Sequence, residues 1–277
     1  LMVVTALVGG TAFLMWLGEV MSEKGIGNGV SLLIFAGIVM SYPTYVKQTF
    51  MAASAENRYV SLLAFFLVAV LLVASIVAMT LAMRKVPVQY PKRQVGRKIF
   101  GGQSSFIPIR VNNAGVISLI FAISIMFLPL TLSGIMPEPY GPRLHDWLNL
   151  WFNERTVLYN LAYMVLIIFF TYFYSAITFN TEDLADNLKK AGGFIPGIRP
   201  GKATSDYLDK IMSRLNFVAG IFLALLAVVP TYVVQWTGVT SFYLGATSLL
   251  IIVGVALDTM QQVESRLVMR NYQGFMK

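Results

Sequence analysis

Residues 60–83 read VSLLAFFLVAVLLVASIVAMTLAM and are followed directly by Arg84 and Lys85. This run has no charged side chain. It is long enough to cross a hydrocarbon core as a helix, which takes roughly 17–25 residues. Comparable apolar runs occupy residues 2–18, 29–46, 114–136, 157–179, 215–236 and 239–257. The sequence therefore predicts an all-α membrane protein, a polytopic transmembrane helical bundle of about seven spans.

Two segments between the predicted spans are too long to be simple connections, since most helix–helix connections have about 2–8 residues. Residues 84–113 and 180–214 are rich in Lys, Arg, Gly and Pro, so they belong in water. The sequence of residues 84–113 predicts a hairpin-like protrusion with a basic tip. The sequence of residues 180–214 predicts a short helix with Thr181 as its N-cap, followed by Pro-Gly turns around Arg199. It also predicts a further helix capped by Thr204 or Ser205.

The basic residues orient the predicted bundle, because short loops with excess Lys and Arg stay cytoplasmic. One side contains Glu19, Glu23, Lys24, both long segments and residues 258–277, and it holds the whole formal net charge of +8. The cations of the other side are balanced by carboxylates. We therefore expect both loops, and the C-terminal tail at 258–277, to be cytoplasmic. Such basic loops attract anionic lipid, and ordered ones also suit docking onto ribosomal RNA or a cytosolic protein.

The composition of the spans excludes several chemistries. No Asp, Glu, Lys, Arg or His lies within a predicted span, which disfavours an ion-coupled transporter, because such proteins hold the ion with charged groups. The chain has no cysteine and one histidine, His145, so neither a metal centre nor another cofactor is expected. No Walker-type nucleotide loop occurs. Small residues in the spans, among them Gly9, Gly10, Gly37 and Gly220, predict close helix packing.

Several motifs, taken in order and spacing, resemble one known family. They are FLMWLGE at 13–19, GIGNG at 25–29, QYPKR at 89–93, ADNLKK at 185–190, GIRPG at 197–201 and GATSLLI at 245–251. The chain resembles the SecY family, which forms the channel subunit of the bacterial Sec protein translocon. The resemblance covers essentially all 277 residues. It implies that the predicted spans correspond to the fourth through tenth of ten. The first three spans and the pore plug are then expected upstream of this sequence.

The resemblance also implies roles for individual residues. Val30, Ile34, Ile120 and Ile251 match a ring of branched apolar side chains at the waist of the pore. Asn112, with spans 114–136 and 157–179, matches one wall of a lateral gate. The positions that match docking sites for the motor ATPase SecA or the ribosome are Lys85, Arg97, Lys98, Arg199 and Tyr272.

The function implied is that of the central pore subunit of a protein-conducting channel. Such a subunit moves unfolded secretory proteins across the bacterial plasma membrane, and membrane proteins into it, as a passive channel driven by a docked partner. The implied partners are SecE, SecG, SecA, the ribosome, the unfolded preprotein with its signal peptide, and anionic lipid. Two alternatives stay open: a small-solute transporter, and a docking platform that recruits ribosomes without conducting anything.

Overall fold

The computed structural model describes residues 2–25, 27–55, 59–90, 93–95, 98–100, 104–135, 148, 156–238 and 245–274. The helices are α1 Met2–Lys24, α2 Gly29–Ala55, α3 Tyr59–Leu81, α4 Gly115–Ile135, α5 Val157–Thr178, α6 Thr181–Lys190, α7 Lys202–Thr237 and α8 Ala246–Gly274. The strands are β1 Met83–Gln89, β2 Arg93–Val95, β3 Lys98–Phe100 and β4 Ser104–Arg110.

Within the described residues, seven helices are long and apolar enough to cross a membrane: α1 to α5, α7 and α8. This confirms the predicted fold class. Helices α1, α2, α7 and α8 are longer than the predicted spans, whereas α3, α4 and α5 are described over slightly shorter ranges. Helix α7 has 36 residues and a length of about 54 Å, well beyond a hydrocarbon core of about 30 Å. Helix α8 likewise continues to Gly274 through most of the segment predicted as a tail.

The chain divides into two compact units. The first comprises Leu1–Val77 and Tyr232–Lys277, and the second comprises Ala78–Thr231. In the first unit, α2 packs against both α1 and α8. In the second, α4 packs against α5, where the rings of Phe121 and Phe170 stack with their centroids 5.6 Å apart.

The described residues between 83 and 110 form two antiparallel strand pairs, as the sequence predicts for a hairpin. Strands β1 and β4 pair antiparallel from Met83 opposite Arg110 to Gln89 opposite Ser104, and β2 pairs with β3 in the same sense. The side chains of Val86 and Val88 alternate with exposed neighbours along β1, as expected for a strand with one buried face.

The buried face of the hairpin belongs to a hydrophobic core that the sequence analysis did not predict. The sequence pattern predicts the two long segments as separate units, whereas the structure packs them together. The core contains Val86, Val88, Ile109, Leu188, Ile195, Leu208 and Met212. Backbone hydrogen bonds of 2.9 Å in both directions between Gln89 and Phe194 join the hairpin to the loop after α6. We call this assembly of the hairpin, α6, its following loop and the first turns of α7 the small domain.

Both predicted N-caps in the second segment are wrong by a few residues. Helix α6 is present, but Asn180 is its cap, accepting hydrogen bonds from the backbone N–H groups of Glu182 and Asp183. Thr181 instead donates its hydroxyl proton to Asp209 at 2.7 Å, which ties α6 to α7. Helix α7 begins at Lys202, and Thr204 lies inside its first turn.

Of the four span glycines named in the sequence analysis, the structure describes a close helix contact at Gly220. A Cβ atom added to Gly220 would lie 3.4 Å from the Cα of Ile168, so α7 and α5 approach closely there. Among the described residues, nothing lies within 4 Å of the corresponding position at Gly9, Gly10 or Gly37. The prediction of close packing is therefore confirmed at Gly220 and wrong, within the part of the chain described, at those three.

Replacing Leu208 with alanine should loosen the small domain, because Leu208 is fully buried in its core. A buried Leu→Ala change costs about 2–5 kcal/mol. Local opening of the basic hairpin should therefore become more frequent, and trypsin should cleave it faster by an order of magnitude or more in membrane vesicles. The exposed neighbour Asp206 provides the control, and Asp206→Ala should leave the cleavage rate unchanged. Equal rates for the two variants would contradict the shared core.

Candidate pore and docking residues

The junction of α1 and α2 brings the first predicted pore residue, Val30, against the end of α1. A Cβ atom on Gly18 would lie 2.5 Å from the Cγ2 of Val30, a distance that real Cβ contacts do not reach. A Cβ atom on Gly29 would collide with the carbonyl oxygen of Gly18. Both glycines are buried. The two helices can therefore approach closely because Gly18 and Gly29 have no side chain beyond a hydrogen atom. Small residues commonly allow close helix packing in membranes.

The turn between these helices is shaped by its own polar groups. Gly27 has a φ of +90°, which only glycine adopts readily. The side chain of Asn28 accepts a hydrogen bond from the backbone N–H of Ser31 at 3.2 Å, and so caps α2. The hydroxyl of Ser22 donates to the carbonyl of Gly18 and accepts from the N–H of Gly29, each at 2.8 Å. These bonds fix where α2 begins.

Helix α8 carries the predicted pore residue Ile251 and packs along α2 in the same unit. Ile251 is half-buried, while Val30 is 39% and Ile34 47% exposed. Further along α8, the guanidinium of Arg266 donates a hydrogen bond of 2.9 Å to the carbonyl oxygen of Gly25 in the α1–α2 turn. The first unit thus contains three of the four predicted ring residues, on two helices in contact.

The fourth ring residue, Ile120, lies on α4 in the second unit, and its side chain is 46% exposed. Its neighbours Leu119 and Ala122 are fully buried, so α4 presents Ile120 on the less covered side of the helix. The structure therefore describes Ile120 within its own unit, and the closure of the ring stays a prediction.

Asn112, the predicted gate residue, lies just before α4. Its side-chain oxygen accepts a hydrogen bond of 3.0 Å from the backbone N–H of Gly115, the first residue of the helix. An N–H group at a helix start has no partner within the helix, so Asn112 satisfies one of these orphan donors. The residue helps to set the start of α4, and its role in a gate stays a prediction.

Two predicted docking residues, Lys85 and Arg199, are exposed on the small domain. The ammonium of Lys85 lies 4.8 Å from the centre of the Phe106 ring on the paired strand, a favourable cation–π distance. Arg199 lies in a loop anchored in the core by Ile195. Its backbone carbonyl accepts a hydrogen bond of 3.0 Å from the hydroxyl of Thr204. Both cations are therefore held on a folded support.

The structure describes less of the other three predicted docking residues, Arg97, Lys98 and Tyr272. Arg97 lies outside the described residues. Lys98 belongs to β3 and Tyr272 to α8, and the structure gives the backbone position of each. These three assignments stay predictions.

Sequence reasoning missed Ser22 and Arg266 at the α1–α2 turn and the core beneath Lys85 and Arg199. The signal for the core was present, since Val86 and Val88 occupy alternate positions along β1, and Leu208 and Met212 are four residues apart on α7. What the pattern could not show was that the two apolar faces cover each other.

Comparison with known proteins gives consistent results. A family model described as SecY matches residues 1–260. The protein translocase subunit SecY of Halalkalibacterium halodurans is 44% identical over 284 residues, covering 100% of this chain and 66% of the relative. The SecY subunits of Bacillus subtilis and Thermotoga maritima are 43% and 42% identical, covering 100% and 98% of this chain and 65% and 61% of theirs. The chain thus spans about two thirds of the length of these relatives.

Two solved structures share the fold. One is described as the structure of a protein conducting channel; it matches with a TM-score of 0.61 at 18% identity, covering 94% of this chain and 63% of its own. The other concerns the plug domain of a SecY protein and the closed state of its channel. It matches with a TM-score of 0.60 at 19% identity, covering 94% and 64%.

Replacing Gly18 with alanine should separate α1 from α2, because the added methyl group meets Val30. Overpacking of this kind costs about 1–3 kcal/mol, so the midpoint of thermal unfolding in detergent should fall. Gly37→Ala is the matched control, since a Cβ atom there has no described neighbour within 4 Å. If both variants unfold at the same temperature, the close contact at Gly18 is not a feature of the folded protein.

Proposed function

The chain belongs to the SecY family, and from that premise we propose that it forms the greater part of the pore subunit of a protein-conducting channel. In this proposal, unfolded secretory proteins cross the bacterial plasma membrane, and membrane proteins enter it, through a passage lined by these helices. The family match over residues 1–260 carries the proposal. The helical bundle and the charge-free spans support it.

The chemistry of the proposed pore lining suits a moving polypeptide. Branched apolar side chains form no lasting hydrogen bonds with a passing chain, and an empty apolar constriction excludes water and ions. Val30, Ile34 and Ile120 leave a substantial part of each side chain uncovered in its own unit, as a lining residue requires. Asn112, α4 and α5 would form one wall of a lateral gate through which hydrophobic segments pass into lipid.

The proposed channel is passive, and its energy comes from a partner. The chain has no Walker-type nucleotide loop, so the motor ATPase SecA or the ribosome would supply the drive. These partners would dock on the small domain through Lys85, Arg97, Lys98 and Arg199, and on α8 through Tyr272. SecE and SecG would complete the membrane complex. Anionic lipid would surround its basic face, with the C-terminus in the cytoplasm.

Replacing Ile34, Ile120 and Ile251 together with glycine should make the resting complex leak ions, because the apolar constriction loses its side chains. The measurement is ion conductance across planar bilayers that contain the intact complex without preprotein. A control triple, with Val39, Ile125 and Ile252 replaced by glycine, alters the same three helices on faces rotated by about 100–140°. The complex with the control triple should show no increase in ion conductance. Equal leakage from both triples would argue against the ring.

The alternatives make different predictions in the same preparation. A crosslinker placed at residue 34 or 120 should capture a preprotein stalled in transit. A docking platform that conducts nothing gives no such product. Saturable uptake of a small substrate, with no crosslink to a preprotein, would instead indicate a small-solute transporter.

Replacing Arg199 with glutamate should weaken docking of the driving partner by at least about tenfold, because the change reverses a charge at the proposed contact. The measurement is binding of SecA, and separately of ribosomes, to membranes that contain the intact complex. Lys189→Glu makes the same charge change on the exposed surface of α6 and serves as the control. If both variants bind alike, net charge determines docking and Arg199 has no special part.

A further inference from the structure

We propose that Ser22 and Arg266 are positioning residues for the pore lining. Together they fix the α1–α2 turn against α8, and so set Val30 and Ile34 relative to Ile251. All of these residues belong to the first unit. The inference rests on the proposed function in one respect only, namely that Val30, Ile34 and Ile251 line the passage.

Ser22 joins the end of α1 to the start of α2 with one hydroxyl group. It donates to the carbonyl of Gly18 and accepts from the N–H of Gly29, and both distances are 2.8 Å. Gly29 is the first residue of α2, so its N–H has no acceptor within that helix. Without the hydroxyl, this donor is left unsatisfied in a half-buried junction, and an unsatisfied donor costs more than an ordinary hydrogen bond gains.

The position of Ser22 matters because the junction has no spare room. Gly18 and Gly29 meet so closely that neither tolerates a Cβ atom. Val30 follows Gly29 directly, and Ile34 lies one turn later, about 6 Å along the helix axis. A shift at the junction is therefore carried almost undiminished to both lining residues by the rigid helix.

Arg266 holds the same turn from the side of α8. Its Nη2 donates to the carbonyl oxygen of Gly25 at 2.9 Å, a contact between residues 241 positions apart. The N–H of Gly25 donates to the carbonyl of Met21 at 2.9 Å, so Gly25 continues the last turn of α1. Carbonyl groups at the end of a helix lack partners and lie at its negative end. A guanidinium suits this position both as a donor and as a charge.

The rest of the turn also lies beside α8. A Cβ atom on Gly27 would lie 3.8 Å from the Oε1 of Gln262 and 3.9 Å from the Oγ1 of Thr259. Arg266 is on the same helix as Ile251, about 22 Å further along its axis. A single rigid helix thus carries both a lining residue and the group that holds the turn leading into α2.

The test uses pairs of variants in the intact complex. Ser22→Ala removes the hydroxyl, whereas Ser22→Thr keeps it. Arg266→Ala removes the guanidinium, whereas Lys24→Ala removes a nearby exposed cation of the α1 end and leaves the Gly25 contact intact. The resting ion conductance should rise about fivefold in Ser22→Ala and Arg266→Ala, the effect expected for one lost hydrogen bond on a two-state equilibrium. Ser22→Thr and Lys24→Ala should stay within about twofold of the unchanged complex.

A second measurement distinguishes positioning from a general loss of stability. The chain has no cysteine, so spin labels can be placed at Ile38→Cys and Val255→Cys, one turn beyond the lining residues. The distance distribution between the labels should broaden or shift in Ser22→Ala and Arg266→Ala, and stay unchanged in the two controls. A merely structural role would lower the yield of folded protein but leave the distribution in the surviving molecules unaltered.

The two proposals fail in different ways. Unchanged conductance and unchanged label distances in Ser22→Ala and Arg266→Ala would overturn the positioning role while export by the unchanged complex upheld the channel. If the unchanged complex exports no preprotein, the channel proposal fails. The label distances then still decide whether Ser22 and Arg266 hold α2 against α8.

Discussion

The exclusion of charged side chains from hydrocarbon is the constraint on which the rest of this structure depends. It confines Asp, Glu, Lys and Arg to the ends of the apolar stretches and to the segments between them. Among the described residues, packing between the apolar stretches must then rest largely on contacts between uncharged groups. Close contacts such as that of Gly18 with Val30, stacked rings such as Phe121 and Phe170, and short hydrogen bonds at helix ends take over this role.

Composition and periodicity were sufficient to predict the helices that can cross a membrane, because apolar length is a strong local signal. They were also sufficient for the hairpin, whose β-branched residues alternate along β1. The helix bounds were harder. Helices α7 and α8 run past the apolar stretches, because an amphipathic segment in water can continue a helix that a hydropathy pattern ends. The N-cap of α6 is Asn180 and not Thr181, since the hydroxyl of Thr181 is used by Asp209.

What the sequence could not reveal were contacts between residues far apart in the chain. Arg266 and Gly25 are 241 positions apart, and nothing in either local pattern points to the other. The core shared by Val88, Leu188 and Leu208 posed the same difficulty, since each segment shows an apolar face but not what covers it. Long-range partners of this kind follow from the packed structure. The motif resemblance implies roles for individual residues but does not indicate which contacts hold them in place.

Within its unit, helix α7 connects the small domain to α5. Its first turns are embedded in the small domain through Leu208 and Met212, and its later turns press on α5 where Gly220 faces Ile168. Between these points the hydroxyl of Tyr172 on α5 donates to the carbonyl of Ser213 at 3.0 Å. The first proline in α7 is Pro230, beyond both contacts, so the helix has no proline hinge between them. A displacement of the small domain is therefore passed to α5 along one helix with no proline between the two contacts.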